Sequence, residues 1–407
     1  MFAARAPAHL THATTPKVFH FALLSAIEAA LRGLLISVWP LLLYKIWQSA
    51  ETISLIYIGL GVSALLWGGL IPALTLWLPR RWTMTFGISL NILSGLLVLT
   101  GKPILMTVGL LLHALGTATF LICLNAYVLD YIARVDLGKN ESMRLVFSAI
   151  CWSIGPFLGV WLMDWWLPAP FILALLLSIV LMVSFWRLRL GNGKQISRSR
   201  APTPNPVAYL GRFIYQPRLV SGWLFAVIRS CGWWVYIVYL PIYCIESGLG
   251  NHIGAAALSV TNTLLFLSPL VLKFVKKYGV RLSVIGSFSI AALAFGLAWA
   301  ATDQAWWTIT ALFIGSFALI MLDVCGSLPF LMAVKPSERT EMSAVYSSYR
   351  DASGILVPTA AWIILLVSPI SGIFAVTGLA LGSMALLATK LHPRLGAEKL
   401  TINSRLN

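Results

Sequence analysis

The stretch SAIEAALRGLLISVWP, residues 25–40, is apolar apart from two residues able to carry full charge, Glu28 and Arg32. They stand four apart. On a helix that spacing puts them on one face, about 6 Å apart along the axis, where carboxylate and guanidinium can neutralise each other. Four more such groups interrupt apolar runs: Arg229, Asp323, and the adjacent Arg350 and Asp351. A charge at the centre of a bilayer costs about 2.5–3.5 kcal/mol, so the six must be paired or must face water. A guanidinium in such a place offers the forked donors that capture carboxylate or phosphate. A carboxyl group there, such as Asp323 between IML and VCG, can carry a proton. Each also has a plain structural reading. A Glu–Arg pair can lock one helix to its neighbour, and Asp323 can be a hydrogen-bonded structural residue.

These residues need a frame, and the composition gives its type. Of 407 residues, 59% are hydrophobic and only 10% charged, and the mean hydropathy is +0.87. A soluble domain is about 25% charged. The pattern predicts an all-α integral membrane protein. A bilayer takes about 20 apolar residues per helical span. About twelve such spans can be read, at 18–46, 50–78, 82–100, 103–133, 145–166, 169–189, 219–246, 252–275, 281–301, 305–334, 342–366 and 370–390.

One connection differs in composition. Residues 190–218 are polar, basic and rich in Pro, Gly and Ser, as a linker is. They divide the chain into an N-terminal six-helix bundle, 18–189, and a C-terminal one, 219–390, with tails at 1–17 and 391–407. The net charge of +16 would suggest nucleic acid in a soluble protein, but here topology accounts for it. Lys45 and Lys102 fall outside, and Arg32, Arg229 and Arg350 lie within spans. The other 24 of the 29 Lys and Arg then share one side, the cytoplasmic one by the positive-inside rule. Both termini are expected there, in the inner (cytoplasmic) membrane, and the first twenty residues show no signal-peptide cleavage pattern. Cys123, Cys151, Cys231, Cys244 and Cys325 all lie inside spans without CxxC or metal-ligand spacing. No metal or cofactor is expected.

The two halves echo each other. VWPLLLYKI in the first span resembles YLPIYCIES in the seventh, setting Pro40 opposite Pro241 at an offset of 201. RLVFSAICWSIGPFLG in the fifth resembles SAVYSSYRDASGILVP in the eleventh, setting Gly155 opposite Gly354 at 199. Such internal repeats mark transporters built from two related bundles. Six plus six spans, a basic central linker and this echo resemble the major facilitator superfamily over the whole chain. SIGPFLGVWL looks like that family's GPxxG element, at Gly155, Pro156 and Gly159. LPRRWTMTFG and KKYGVR occupy its loops after the second and eighth spans, and KPSERTEMSAVYSSYRDASGILVP the loop before the eleventh. Two departures stand out. Pro72 and Leu76 replace the Gly and Asp that usually precede the basic pair Arg80 and Arg81. Cys151 stands where proton-driven drug exporters have Gly. EAALRGLLISVWPLLLY and ESMRLVFSA…GPFLGVWL are also similar to exporters that accompany siderophore biosynthesis.

The resemblance implies that the first and seventh helices line a central cavity. The offset of 201 sets Glu28 in register with Arg229, so Glu28, Arg32 and Arg229 are expected to face one another across that cavity. Trp39, Trp233, Tyr236 and Asn125 are further substrate-contact candidates, although packing is the commoner use of such rings and amides. Glu28, Asp323 and Asp351 are candidates for proton coupling, and Arg350, Asp351, Arg80 and Arg81 for gating. No GxxxxGK[ST] motif is present, so energy must come from a gradient. The six His are scattered and form no catalytic set, which argues against an enzyme. The expected function is secondary transport by alternating access, leading with export of a small polar or amphipathic molecule, siderophore-like or drug-like. Proton-coupled uptake of an organic anion is the alternative. The partners expected are that small molecule, protons and the lipid bilayer, with no nucleic acid, and the chain is expected to be a monomer.

Overall fold

The computed structural model describes residues 18–132, 137–188, 206–334, 342 and 345–392, and all regular secondary structure among them is helical. The helices are α1 (Val18–Leu35), α2 (Val38–Trp47), α3 (Ala50–Trp77), α4 (Arg80–Leu99), α5 (Pro103–Tyr131), α6 (Leu137–Trp165) and α7 (Ala169–Arg187). After them come α8 (Pro206–Ile214), α9 (Pro217–Trp234), α10 (Leu240–Glu246), α11 (Asn251–Thr263), α12 (Ser268–Tyr278) and α13 (Val280–Ala300). The last are α14 (Ala305–Cys325), α15 (Leu328–Ala333), α16 (Tyr349–Leu365) and α17 (Ser371–Ala388). A π-helical segment, Val235–Tyr239, joins α9 to α10, and a 3₁₀ turn, Leu264–Leu267, joins α11 to α12.

Ten stretches among the described residues are long and apolar enough to cross a membrane. The two expected spans that fall short do so for visible reasons. The 252–275 span is cut by the 3₁₀ turn, and α16, at 17 residues, supplies only the later part of 342–366. The fifth span starts earlier than expected, at Leu137, which draws Arg144 into α6. Within the expected linker the chain forms α8, and residues 189–205 lie outside the described set.

Prolines set the breaks. A proline has no N–H to give the carbonyl four residues back, and its ring crowds that carbonyl. Four residues before Pro40 is Ile36, in the turn between α1 and α2. Four before Pro241 is Ile237, inside the π segment. Four before Pro269 is Leu265, in the 3₁₀ turn, and four before Pro329 is Cys325, the last residue of α14. The two prolines of the internal echo thus interrupt corresponding helices. Pro156 and Pro358, by contrast, ride within α6 and α16.

By contact the chain forms two compact units, Met1–Ile36 with Ser63–Arg200, and Ser37–Val62 with Ala201–Asn407. The segment Ser37–Val62, counted from sequence in the N-terminal bundle, is grouped with the second unit. The first unit is built on a core of Phe21, Leu24, Met84, Ile88, Phe120, Tyr127 and Phe185. Its α1 and α6 meet backbone to backbone. A Cβ on Gly155 would stand 2.5 Å from the Gly33 carbonyl carbon, and one on Gly33 would stand 2.9 Å from the Cys151 carbonyl oxygen. Small residues permit such approaches in membrane bundles.

The second unit has a core of Phe213, Leu219, Phe330, Val334, Met342 and Val345. Its α2 and α10 are tied by the Tyr44 hydroxyl, which donates to Glu246 Oε1 at 3.1 Å. The Ser54 and Tyr239 hydroxyls share a hydrogen bond of 2.8 Å. Leucines such as Leu66, Leu293 and Leu386 are exposed, as lipid-facing residues are, and Trp165, Trp166, Trp306 and Trp307 are exposed at helix ends, where membrane-interface belts lie.

Candidate functional site

Each unit contains a guanidinium held by a carboxylate and set over an aromatic ring. In the first unit both charges come from α1. Arg32 Nε lies 2.8 Å from Glu28 Oε1, and Arg32 Nη2 donates to Oε2 at 3.1 Å. This is the four-residue pairing expected from the sequence, closed at two points. Glu28 is only 1% exposed, so the pair satisfies a carboxylate that would otherwise be buried uncompensated. The close approach at Gly33 and Gly155 brings Trp152 of α6 beside it, with its ring centre 5.0 Å from the Arg32 guanidinium carbon. Such a distance suits cation–π attraction. Arg144, also on α6, donates to Ser25 Oγ at 3.1 Å and to Asn125 Oδ1 at 3.2 Å. It lies within electrostatic reach of Glu28.

In the second unit the partners come from three helices. Arg229 stands on α9, twelve residues after Pro217, or about 18 Å along the axis. Its Nε lies 3.2 Å from Asp323 Oδ1 of α14, and its Nη1 donates to the Leu322 carbonyl at 3.3 Å. Trp233, one turn further along α9, donates its indole N–H to Asp323 Oδ2 at 3.1 Å. Beneath Arg229 lies the ring of Tyr349, 5.4 Å from the guanidinium carbon. Arg350 stands over the same ring at 5.6 Å, and its Nε donates to Tyr349 Oη at 3.1 Å.

Asp323 is therefore not the lone carboxyl that its apolar neighbours suggested. Its partner lies on another helix, where no spacing rule reaches. Glu28 and Arg32 belong to the first unit and Arg229 to the second. Trp233 and Asn125 are drawn into the two clusters. Tyr236 and Trp39 are buried, at 1% and 3% exposure, and the Tyr236 hydroxyl is hydrogen-bonded to Thr261 Oγ1 at 2.9 Å. Arg350 and Asp351 are exposed in the first turn of α16, after a turn at Ser347–Ser348, rather than well inside a helix begun at 342. The Arg80 guanidinium lies 5.5 Å from the Tyr127 ring, and Arg81 lies 6.0 Å from the Trp82 ring.

Three contributors had escaped the sequence reading: Arg144, Trp152 and Tyr349. Arg144 carries a signal, because it is a basic residue within ESMRLVFSA just ahead of an expected span. It stands one residue before the expected start at 145, and the helix begins at Leu137. Nothing in sequence distinguishes Trp152 or Tyr349 from the chain's other aromatic residues. No group of three His, Cys, Asp or Glu among the described residues could hold a metal ion, and the five cysteines are free thiols.

Residues 21–358 match the family model described as Major Facilitator Superfamily. No curated protein matches the sequence. Among solved structures, the chain is similar to the nucleoside transporter NupG, with a TM-score of 0.70 at 14% identity over 92% of this chain and 99% of that one. It is also similar to a D-xylose–proton symporter, at 0.68 and 12% over 92% and 98%. A bacterial homologue of the iron transporter ferroportin in an inward-facing state gives 0.66 and 15% over 92% and 98%. At these identities the likeness is one of fold.

Proposed function

Because this chain belongs to the major facilitator superfamily and is a multi-pass membrane transporter for a small molecule, we propose that it is a gradient-driven exporter. Its cargo in this reading is a small polar or amphipathic organic molecule, siderophore-like or drug-like, that bears a carboxylate or similar anionic group. It moves by alternating access.

The observation that supports transport of an anion, in either direction, is the guanidinium–carboxylate pair found in each unit, Arg32 with Glu28 and Arg229 with Asp323. A guanidinium already engaged by a carboxylate is released for an anionic substrate when that carboxylate takes up a proton. Substrate and proton sites are then linked through one contact. Glu28, Asp323 and the exposed Asp351 are the proton carriers in this proposal, and Arg32, Arg229, Trp233 and Asn125 the substrate contacts. Arg80, Arg81 and Arg350 serve as gate residues. Outward movement of an anion is helped by an inside-negative potential, about 2.3 kcal/mol per charge per 100 mV. The GPxxG element around Gly155, in which Cys151 replaces the Gly of proton-driven exporters, packs directly against the helix that bears Glu28 and Arg32.

A second reading, proton-coupled uptake of an organic anion, is favoured by the same pairs. Proton and anion that bind cooperatively tend to travel together, whereas a cationic substrate would compete with the proton and favour exchange. The test is transport in proteoliposomes under imposed pH gradients. Arg229→Ala should abolish transport of a carboxylate-bearing substrate while the protein remains folded by size-exclusion chromatography. Retained transport overturns the proposal. The sign of the pH gradient that accelerates flux separates export from uptake.

A further inference from the structure

We propose that Arg350, Tyr349 and Arg229 form a subsite for a single carboxylate group of the transported molecule, with Arg350 as its first contact. The proposal rests on the transport reading above and names the chemical class that one site takes.

Charge balance comes first. The cluster holds two guanidinium groups, Arg229 and Arg350, and the one carboxylate of Asp323. With all three ionised the sum is +1. The exposed Asp351 follows Arg350 in the first turn of α16; no ion pair or hydrogen bond joins it to either arginine, but it lies within electrostatic reach of Arg350, so the sum stays +1 only while Asp351, a proton carrier in the reading above, is protonated. In that state one carboxylate balances the cluster. A phosphate, nearer −2, would overshoot.

Geometry comes second. Arg229 is 8% exposed, is ion-paired with Asp323, and donates from Nη1 to the Leu322 carbonyl. Arg350 is exposed, and its only side-chain hydrogen bond among the described residues runs from Nε to Tyr349 Oη. Its two terminal nitrogens meet no acceptor among the described residues. They form the forked pair that binds a carboxylate at two points.

Depth comes third. Arg229 lies about 18 Å along α9 from Pro217, and the Tyr349 ring centre is 5.4 Å from its guanidinium carbon and 5.6 Å from that of Arg350, which puts Arg350 near Arg229. An open guanidinium facing lipid at that depth costs about 2.5–3.5 kcal/mol. Its open face therefore borders water or a ligand, and an anion there relieves the cost. Tyr349 contacts both guanidinium groups, so they are positioned before the anion arrives.

The test is arginine-selective modification of the full chain in detergent with phenylglyoxal, with peptide mass spectrometry reading the adduct on Arg350. The probes are benzoate, its uncharged amide benzamide, and inorganic phosphate. Benzoate should slow modification of Arg350 by threefold or more, with benzamide inert and phosphate weaker than benzoate. Asp323→Asn, which raises the cluster to +2, should lower the benzoate concentration giving half-protection. No protection by benzoate overturns the proposal. Equal protection by benzamide, or phosphate protection matching benzoate, overturns the carboxylate assignment. Because protection is read at equilibrium, it stands or falls separately from transport.

Discussion

The buried Glu28 illustrates how much depends on one counterion. Removing a single partner of a buried pair typically costs about 3–5 kcal/mol, because the other charge is left uncompensated. Arg32→Gln should therefore lower the thermal midpoint of the purified protein clearly, and Glu28→Gln combined with Arg32→Gln should recover most of the loss. A scanning fluorimetry series over the two singles and the double checks this, and purely additive losses would contradict it. In transport, Glu28→Gln should leave substrate exchange running while abolishing its response to a pH gradient, as measured by counterflow against net flux. The first-unit pair was legible in sequence because both residues lie on one helix at a fixed spacing. The second was half legible. Arg229 and Asp323 each stood out as a charge in an apolar run, but their union is a product of tertiary packing between α9 and α14. The rings beneath the two arginines were not legible, since an aromatic residue in a membrane helix looks the same wherever it points.

At the scale of elements, glycine and proline place the clusters. Gly155→Val should prevent α1 and α6 from meeting, because even a Cβ would stand 2.5 Å from backbone at Gly33. Overpacking of this kind costs about 1–3 kcal/mol, occasionally more. The yield of monodisperse protein should fall sharply. Gly286→Ala is the control. Its Cβ meets nothing within 4 Å, and replacing a mid-helix glycine by alanine is worth about 1 kcal/mol of helix propensity, so yield and stability should hold or rise. Pro241→Ala should let the π segment relax toward regular helix and change turnover more than folding, since such irregularities often mark working hinges. Unchanged counterflow rates in Pro241→Ala would remove the hinge role. Helix existence was readable from hydropathy, which reports burial in lipid. The breaks are harder to see, although each falls four residues before a proline, because a proline in an apolar run reads as well as an echo between halves as it does as a constraint on backbone hydrogen bonding.

For the molecule as a whole, the distribution of Lys and Arg sets an orientation that labelling can check. Lys102 and Lys277 are both exposed and lie on opposite sides by the charge rule. In intact cells, a membrane-impermeant maleimide should label Lys102→Cys and spare Lys277→Cys. Four of the five native cysteines are buried and Cys151 is half-buried, so background labelling should be low. The reverse pattern would invert the topology. With Asp323 ionised and Asp351 protonated, the excess of one guanidinium over carboxylate around Tyr349 has an electrical consequence as well. An empty site carrying one uncompensated positive charge is pulled by the membrane field whenever it changes sides, whereas a site filled by a monovalent anion crosses as a neutral body. Voltage then acts on the unloaded return and not on the loaded stroke. A current recorded from reconstituted protein should appear in the step that resets the carrier.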